Sequence, residues 1–277
     1  MPGTLFIVGT PIGNLGDFSE RAKQTLRNVD FIAAEDTRVT AKLLNHFEIR
    51  KPLISYHEHN RKEKGPDILD RLLAGENCAL VTDAGMPAIS DPGVDLVRLC
   101  RAHEVPVATV PGPTAVATAL AFSGMEVSRF SFEGFLTVNK PNRRKHLEEI
   151  RTERKTMVFY EAPHKLAATL HDLYDTLGDR RIAIIKELTK IHEQCELTTL
   201  QEVAGKYDGV KLKGEYVLII EAKTEAELEA EKPQTDPVAL ARTYMEEGMR
   251  LNDAAKRAAL ETGAKKSDIY RVLTENT

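Results

Sequence analysis

The stretch CALVTDAGMPAISDPG, residues 78–93, contains the pattern that decides the fold of this chain. Its first four residues are all apolar, which is typical of a strand buried on both faces of a parallel sheet. The loop that follows is rich in glycine and proline. Six further apolar runs occur along the chain: LFIV (5–8), FIAA (31–34), VPVATV (105–110), TMVFY (156–160), RIAII (181–185) and YVLII (216–220).

Stretches with helical periodicity separate several of these runs. Examples are GPDILDRLLAG (65–75), GVDLVRLCRAHE (93–104) and HKLAATLHDLYDTLG (164–178). Strands that alternate with helices predict an α/β protein whose sheets are largely parallel or mixed. A length of 277 residues predicts two domains with a small third one.

Composition and charge narrow the classes of function. Hydrophobic residues make up 42% and charged residues 29% of the chain, values typical of a folded globular protein. The net charge of -4 gives no overall positive field, so a nucleic acid would have to meet local basic patches. The three cysteines form no CxxC pair, and neither a signal peptide nor an apolar run of roughly 20 residues is present. We therefore expect a cytoplasmic protein.

The loops after the apolar runs are the expected place for chemistry, because ligands of open α/β sheets bind beyond the carboxyl ends of the strands. Glycine and proline allow close approach of a backbone to a ligand or fix a turn. An ordinary turn would explain one such loop, whereas three of them predict a cradle for a small molecule. The six loops are GTPIGN (9–14), EDTR (35–38), TDAGMPAISDPG (82–93), PGPTA (111–115), EAPHK (161–165) and KELTK (186–190).

Motifs for several common ligands and mechanisms do not occur. The chain has no GxGxxG, no GxxxxGK[ST] and no GxSxG, so a dinucleotide fingerprint, a P-loop and a hydrolase elbow are not predicted. The segment HEH, residues 57–59, lacks the HExxH spacing. No metal site is predicted, and surface histidines are the simpler interpretation.

The C-terminal region is predicted to form a separate helical unit. The acidic stretch EAELEAEKPQTDP, residues 225–237, is typical of a linker. Three short helices resembling a helix-turn-helix follow, with Asp236 starting the first, Asn252 capping the second, Gly263 ending it and Ser267 capping the third. The predicted domains are a first α/β domain (1–118), a second α/β domain (119–228) and a helical domain (236–277).

Charge within this helical unit favours a nucleic-acid contact. Between residues 249 and 273 it has six basic residues against three acidic ones. Lys256, Lys265 and Lys266 are the predicted RNA-binding residues. A small packing or dimerisation bundle is the alternative interpretation.

Seven motifs in order carry a resemblance to a known family: GTPIGNLGD (9–17), AEDTR (34–38), TDAGMPAISDPG (82–93), VPGPTA (110–115), FYEAPHK (159–165), KELTK (186–190) and KGEYVLII (213–220). The chain resembles the tetrapyrrole methylase superfamily, and within it the branch that methylates a cytidine ribose 2′-oxygen in small-subunit (16S) rRNA. The resemblance implies two α/β domains with S-adenosyl-L-methionine (SAM) in the cleft between them. It also implies a homodimer whose partner is 16S rRNA or the small ribosomal subunit.

The resemblance further implies which residues bind the cofactor. Met86 stands where tetrapyrrole-modifying relatives have the aspartate of a GDP triplet, which favours the RNA branch over methylation of a tetrapyrrole or corrinoid. An RNA-binding assembly factor without catalysis is a third alternative. The residues that match the family's cofactor positions are Pro11, Ile12, Gly85, Met86, Ile89, Thr114, Ala115, Tyr160, Leu188, Gly214 and Glu215.

Methyl transfer to a ribose hydroxyl requires positioning, together with a base or a cation because the hydroxyl is a weak nucleophile. Glu35, Asp36 and Lys186, at the ends of predicted strands, are the candidate catalytic residues. Glu35 or Asp36 is the predicted base or ribose-orienting group, although Asp36 is also placed to cap a helix. An ion pair within the protein is the alternative for Lys186.

Two further sets of cations are predicted to contact RNA phosphates. Arg38 follows the carboxylate pair and binds either a phosphate or Asp36. Arg143, Arg144 and Lys145 are predicted to form a rim that follows the RNA backbone. No aromatic residue is interleaved with this rim, so base stacking is not predicted there.

Overall fold

The computed structural model describes residues 1–223 and 236–275. The chain forms two compact units, Met1–Ala222 and Lys223–Thr277. Most of the predicted acidic linker, residues 225–237, lies outside the described residues. None of the described helices is both long and apolar enough to cross a membrane.

A parallel sheet of five strands forms the first half of the larger unit. Its strands are β1 (Leu5–Val8), β2 (Phe31–Ala34), β3 (Leu53–Ser55), β4 (Cys78–Val81) and β5 (Val107–Val110). Their order is β3-β2-β4-β1-β5. All four residues of β2 and of β4 are buried, which explains why these runs are apolar throughout. Because every strand is parallel, the loops after them share one edge of the sheet.

A mixed sheet of five strands forms the second half. Its strands are β6 (Phe130–Phe135), β7 (Thr156–Glu161), β8 (Arg181–Lys186), β9 (Gln194–Thr199) and β10 (Tyr216–Ile220). The order is β6-β7-β10-β8-β9, with β6 parallel to β7 and the other neighbouring pairs antiparallel. The prediction of an α/β protein with parallel or mixed sheets is confirmed.

All seven predicted strands are present, and three strands were missed: β3, β6 and β9. Each of them lies at the edge of its sheet. An edge strand is covered on fewer sides and does not require a continuous apolar sequence, as the exposed and half-buried residues of β9 show. The periodicity of the sequence therefore does not separate these strands from loops.

Helices of the larger unit connect the strands and cover both sheets. Side-chain caps fix several of their starts, because Ser19, Asp36, Thr114 and Asn139 each accept a hydrogen bond from a backbone N–H of the first turn. The helices are α1 (Glu20–Asn28), α2 (Thr37–His46), α3 (Arg61–Leu73), α4 (Val94–Ala102), α5 (Ala115–Ser123), α6 (Lys140–Ile150), α7 (Leu166–Leu177) and the single turn α8 (Leu200–Val203).

The smaller unit contains three described helices, α9 (Pro237–Glu246), α10 (Leu251–Thr262) and α11 (Lys266–Glu275). As predicted, Asp236 caps the first helix and Gly263 ends the second in a left-handed conformation with φ of 72°. The predicted caps Asn252 and Ser267 are wrong. Both residues already lie inside a helix, because α10 begins at Leu251 after Arg250, whose extended backbone makes no side-chain cap.

Candidate active site

Three glycine- and proline-rich loops of the first sheet meet at its carboxyl edge. Thr10 and Gly85 form an antiparallel bridge, in which the Thr10 N–H donates to the Gly85 carbonyl at 2.9 Å and the Gly85 N–H donates back at 3.2 Å. Gly9 and Gly112 touch through their backbones, since a Cβ on Gly9 would lie 2.7 Å from the Gly112 Cα. The loops after β1, β4 and β5 therefore form one cradle.

Residues of both sheets close around this cradle. Ile12, Ala115, Tyr160 and Leu188, predicted from four separate segments, belong to one apolar cluster. Gly85 adjoins the same cluster, because a Cβ on it would lie 3.5 Å from Cγ2 of Ile12. Four of the predicted cofactor residues are thus brought together by the tertiary structure.

The remaining predicted cofactor residues of the first sheet differ in their contacts and exposure. Met86 packs against the core of the first sheet, and its Sδ would lie 2.6 Å from a Cβ on Gly9. The Thr114 hydroxyl caps α5 by accepting a hydrogen bond from the Ala117 N–H at 3.3 Å. Pro11 is half-buried, whereas Ile89 is 59% exposed and stands outside the described apolar clusters.

The loop after β8 has a strained backbone that a polar network holds in place. Glu187 and Thr189 adopt positive φ values of 53° and 67°, which cost energy in residues other than glycine. The Glu187 carboxylate accepts hydrogen bonds from the Glu215 N–H at 3.1 Å and from the Lys190 ammonium at 3.0 Å. A Cβ on Gly13 would lie 3.1 Å from the Leu188 carbonyl, so this loop packs directly against the first loop of the cradle.

This network clarifies the predicted residues Gly214 and Glu215. A Cβ on Gly214 would lie 2.6 Å from Oε1 of Glu187, so only glycine leaves room for that carboxylate. The Glu215 side chain is 82% exposed and pairs with Lys190 at 3.1 Å, while its backbone N–H anchors Glu187. Glu187 follows Lys186 at the end of a predicted strand but was not among the predicted site residues, because its role depends on a residue 28 positions away.

Glu35 and Asp36, the predicted bases, have opposite environments. Asp36 caps α2 and binds Arg38, whose guanidinium nitrogens lie 2.6 and 3.0 Å from its carboxylate oxygens. The hydrogen bonds from Arg38 hold the pKa of Asp36 well below its usual range. Burial raises the pKa of Glu35, against the opposing effect of a hydrogen bond from the Asp83 N–H, and the charge of Asp91 raises it further. Glu35 is therefore the better proton acceptor of the two.

Asp83 and Asp91, which the sequence analysis did not select, complete this group of carboxylates. The Asp36 N–H donates to Oδ1 of Asp83 at 3.2 Å, and the Asp83 N–H donates to Oε2 of Glu35 at 3.4 Å, which ties the loops after β2 and β4 together. Burial raises the pKa of Asp83 and of Asp91. Both lie in the loop 82–93, and the presence of carboxylates in this glycine- and proline-rich loop is the sequence feature from which they could have been predicted.

Tyr160 and Lys186 come from the second sheet. Burial raises the pKa of Tyr160 to about 12, and the negative charge of Asp91 adds to the increase, so its hydroxyl stays protonated at neutral pH. The Lys186 ammonium lies 6.0 Å from the ring centroid of Tyr216. Among the described residues, no ion pair joins Lys186 to Glu35 or Asp36, so the structure does not bring the three candidate catalytic residues into one contact.

The predicted RNA-binding cations differ in their exposure and in their hydrogen bonds to other residues of the protein. Arg143 is only 16% exposed, since its guanidinium binds Asp172 at 2.6 Å and the Thr169 hydroxyl at 3.0 Å. Arg38 is 87% exposed although it pairs with Asp36. The others are exposed: Arg144 and Lys145 in the larger unit, and Lys256, Lys265 and Lys266 in the smaller one.

The histidines of the segment HEH lie close to each other, with the His57 and His59 rings 5.9 Å apart. Within residues 1–223 and 236–275, no group of three or more His, Cys, Asp or Glu side chains is arranged to hold a metal ion.

Comparison with known proteins gives consistent results. Residues 4–204 match the family described as Tetrapyrrole (Corrin/Porphyrin) Methylases. The chain is 45% identical over 273 residues to a protein of Halalkalibacterium halodurans named "Ribosomal RNA small subunit methyltransferase I", covering 98% of this chain and 94% of that protein. It is 44% identical over 276 residues to a protein of the same name from Synechocystis sp., covering 99% of this chain and 98% of that one.

Solved structures share the fold at much lower identity. Uroporphyrin-III C-methyl transferase from Thermus thermophilus, complexed with S-adenosyl homocysteine, matches with a TM-score of 0.56 and 16% identity, covering 79% of this chain and 97% of that one. Diphthine synthase matches with a TM-score of 0.61 and 14% identity, covering 80% of this chain and 90% of that one. These neighbours show that the two sheets have the architecture of this fold.

Proposed function

Because the chain belongs to the tetrapyrrole methylase family and, within it, to the ribosomal RNA small subunit methyltransferase I branch, we propose that it is a SAM-dependent methyltransferase of 16S rRNA. The acceptor is the 2′-oxygen of a cytidine ribose. The observation that carries this proposal is the identity of 45%, which extends over 98% of the chain and so includes the C-terminal helices.

The residues at the strand ends fit SAM. Gly9, Gly85 and Gly112 contribute no side chains to the cradle, so a ligand can approach its backbone closely there. The apolar cluster around Ile12 and Leu188 offers a surface for an adenine ring. When bound, SAM supplies an electrophilic methyl group. The residues proposed to hold it are Pro11, Ile12, Gly85, Met86, Ile89, Thr114, Ala115, Tyr160, Leu188, Gly214 and Glu215.

Glu35 is the proposed proton acceptor for the ribose hydroxyl. Its raised pKa brings its basicity closer to neutral pH, where a general base contributes about 10²- to 10⁴-fold to the rate. Asp36 instead holds Arg38 and the start of α2, and the guanidinium of Arg38, which stays exposed, is proposed to bind a phosphate. Lys186 is proposed to stabilise negative charge that develops on the acceptor oxygen.

The RNA substrate, the cellular location, the dimer and the domain boundaries belong to the same proposal. The substrate is 16S rRNA, free or within the small ribosomal subunit, and the enzyme acts in the cytoplasm as a homodimer. The α/β domains comprise residues 1–118 and 119–228, and residues 236–277 form a helical domain that binds RNA through Lys256, Lys265 and Lys266. The exposed basic side chains of these helices support this role.

Transfer of a labelled methyl group from SAM tests the proposal. Small subunits from cells that lack this protein, and free 16S rRNA, are incubated with wild type and with Glu35→Gln, and the RNA is digested to nucleosides. We expect label in 2′-O-methylcytidine with wild type and a loss of about 10²-fold or more with the variant. Label in a tetrapyrrole or corrinoid precursor, and none in RNA, would replace the proposed acceptor.

A further inference from the structure

A groove of about 800 Å³ runs between α6 and α7 on the surface of the second sheet. The two helices run in the same direction, because β6 is parallel to β7 and both β7 and β8 are antiparallel to β10. Helices that follow β6 and β7 begin at the carboxyl ends of these strands. One end of the groove therefore lies at the edge of the sheet where β7 ends, one residue after Tyr160.

The charge of this groove is polarised. The end near the strands is lined by Lys140, Arg144, His164 and Lys165. Acidic residues line the rest of it, but Asp172 is bound by Arg143 and Glu148 lies 3.5 Å from Arg151. The end at this edge of the sheet is thus the cationic end, and it matches the charge of a phosphodiester.

Arg143 fixes the cationic end of the groove through hydrogen bonds to neighbouring elements. Its guanidinium is fixed by Asp172 and Thr169, and Thr169 in turn donates a hydrogen bond to the buried carboxylate of Glu161 at the end of β7. The network joins α6, α7 and β7. The predicted RNA-binding role of Arg143 is then indirect, since it positions the groove in which Arg144 lies.

An exposed aromatic ring lies at the same edge of the second sheet, on the face opposite to α6 and α7. Phe135, the last residue of β6, is 55% exposed, and its ring centroid lies 5.5 Å from that of Tyr160. Val138, three residues later, is 71% exposed and lines the groove. Proteins that bind single-stranded nucleic acids usually combine a cationic groove with exposed aromatic rings.

We propose that this groove binds the phosphate backbone of the single-stranded RNA that enters the active site, with one base stacked on Phe135. The inference rests on the proposed function and specifies where the strand next to the target nucleotide lies. It revises the prediction that base stacking is absent near the Arg143–Lys145 rim. The aromatic residue is not interleaved with these cations in sequence, because the strand before α6 supplies it.

Two neighbouring cations give a matched test. Arg144 lines the groove, whereas Lys145 is equally exposed on α6 but lies outside it and faces Glu149 at 3.8 Å. Affinity for a labelled single-stranded fragment of 16S rRNA is measured for Arg144→Ala and Lys145→Ala at several salt concentrations. We expect Arg144→Ala to reduce the slope of log K against log salt by about 0.7, the value for one phosphate of a single strand, and Lys145→Ala to leave it unchanged.

The stacking step is tested with Phe135. Phe135→Ala is expected to weaken RNA binding by about 5- to 150-fold, the range for loss of one stacked base, and Phe135→Trp to retain it. Affinity for SAM is expected to stay within about twofold in every variant, and circular dichroism melting checks the fold. If Phe135→Ala unfolds, Phe135→Leu keeps an apolar side chain at the edge of β6 and removes only the aromatic face.

Several results would overturn the inference. Equal weakening by Arg144→Ala and Lys145→Ala would mean a diffuse electrostatic effect without a groove. Unchanged RNA affinity in Phe135→Ala, together with conversion to a smaller species in light scattering, would assign this face to contact between copies of the chain. A wild-type protein that binds the RNA through the groove but transfers no methyl group would refute the proposed function and leave this inference standing.

Discussion

Replacing Gly9 by alanine tests whether close contact of the loops holds the cradle in shape. The new Cβ would stand 2.7 Å from the Gly112 Cα, 2.8 Å from its N and 2.6 Å from the Met86 Sδ. Carbon atoms pack at about 3.5–4.0 Å, so the loop after β5 has to move by roughly 1 Å. Overpacking of this kind costs about 1–3 kcal/mol of the free energy of unfolding. Since Gly9 does not have a positive φ, the cost is steric and not conformational.

The functional effect is expected to exceed the effect on stability. A displacement of about 1 Å in a site that positions reactants lowers the rate by up to about 10²-fold. Urea unfolding measures the stability, calorimetric titration measures SAM affinity, and methyl transfer to small subunits measures the rate. We expect a lower unfolding midpoint together with weaker SAM binding.

The matched control is Gly65→Ala within α3. Apart from its chain neighbours, the added Cβ meets Cδ2 of Leu99 at 3.7 Å, which is an ordinary contact. Alanine favours a helix over glycine by roughly 0.5–1 kcal/mol, whereas a Cβ directly before Pro66 opposes the helical conformation, so this variant is expected to stay within about 1 kcal/mol of wild type. Unchanged stability and SAM affinity in Gly9→Ala, or equal destabilisation by both substitutions, would refute the steric argument.

Four further predictions concern charged groups. Burial raises the pKa of Glu35, so the acidic limb of the pH–rate profile is expected at a higher pH than an ordinary glutamate would give. Glu35→Gln is expected to remove this acidic limb. The same raised pKa means that the folded state favours protonated Glu35, so ionisation of Glu35 destabilises the fold as pH rises through this pKa. In thermal unfolding at pH 8, Glu35→Gln is therefore expected to be at least as stable as wild type. Arg143→Met leaves Asp172 without its partner and is expected to cost about 1–3 kcal/mol in urea unfolding, and a variant as stable as wild type would remove Arg143 from the framework. Glu187→Ala frees the strained loop after β8 and is expected to raise the KM for SAM more than it lowers kcat, whereas Lys190→Met, which removes one partner of Glu187 but not the backbone hydrogen bond, should have a smaller effect.

Most of the fold was predictable because buried parallel strands require apolar residues at every position. The runs at residues 31–34 and 78–81 have no exposed residue in the structure, so their sequence alone identifies them. The edge strands β3, β6 and β9 were not predicted, because a strand that is partly exposed needs no such run. Helix starts at Asp36 and Asp236 followed from local capping chemistry, while Asn252 and Ser267 show that a suitable capping residue does not always mark a start.

The site was predictable as a set of loops and not as a set of contacts. Since parallel strands end at one edge of a sheet, the sequence indicated that the loops after β1, β4 and β5 meet. It did not indicate that Asp36 is engaged by Arg38 while Glu35 lies beside Asp83 and Asp91. Glutamate and aspartate carboxylates have similar intrinsic pKa values, and burial and neighbours move the pKa values of Glu35 and Asp36 in opposite directions.

The sequence by itself determined the α/β class, the position of the cradle loops and the family, because each of these depends on residues that are close together in the chain. The tertiary structure alone decided that Ile12, Ala115, Tyr160 and Leu188 share one cluster and that Glu187 reaches the backbone of Glu215. It also placed Phe135 beside Tyr160, at the edge of the sheet where a cationic groove ends. Contacts of this kind depend on the packing of distant segments, and packing is set by the whole core and not by local sequence.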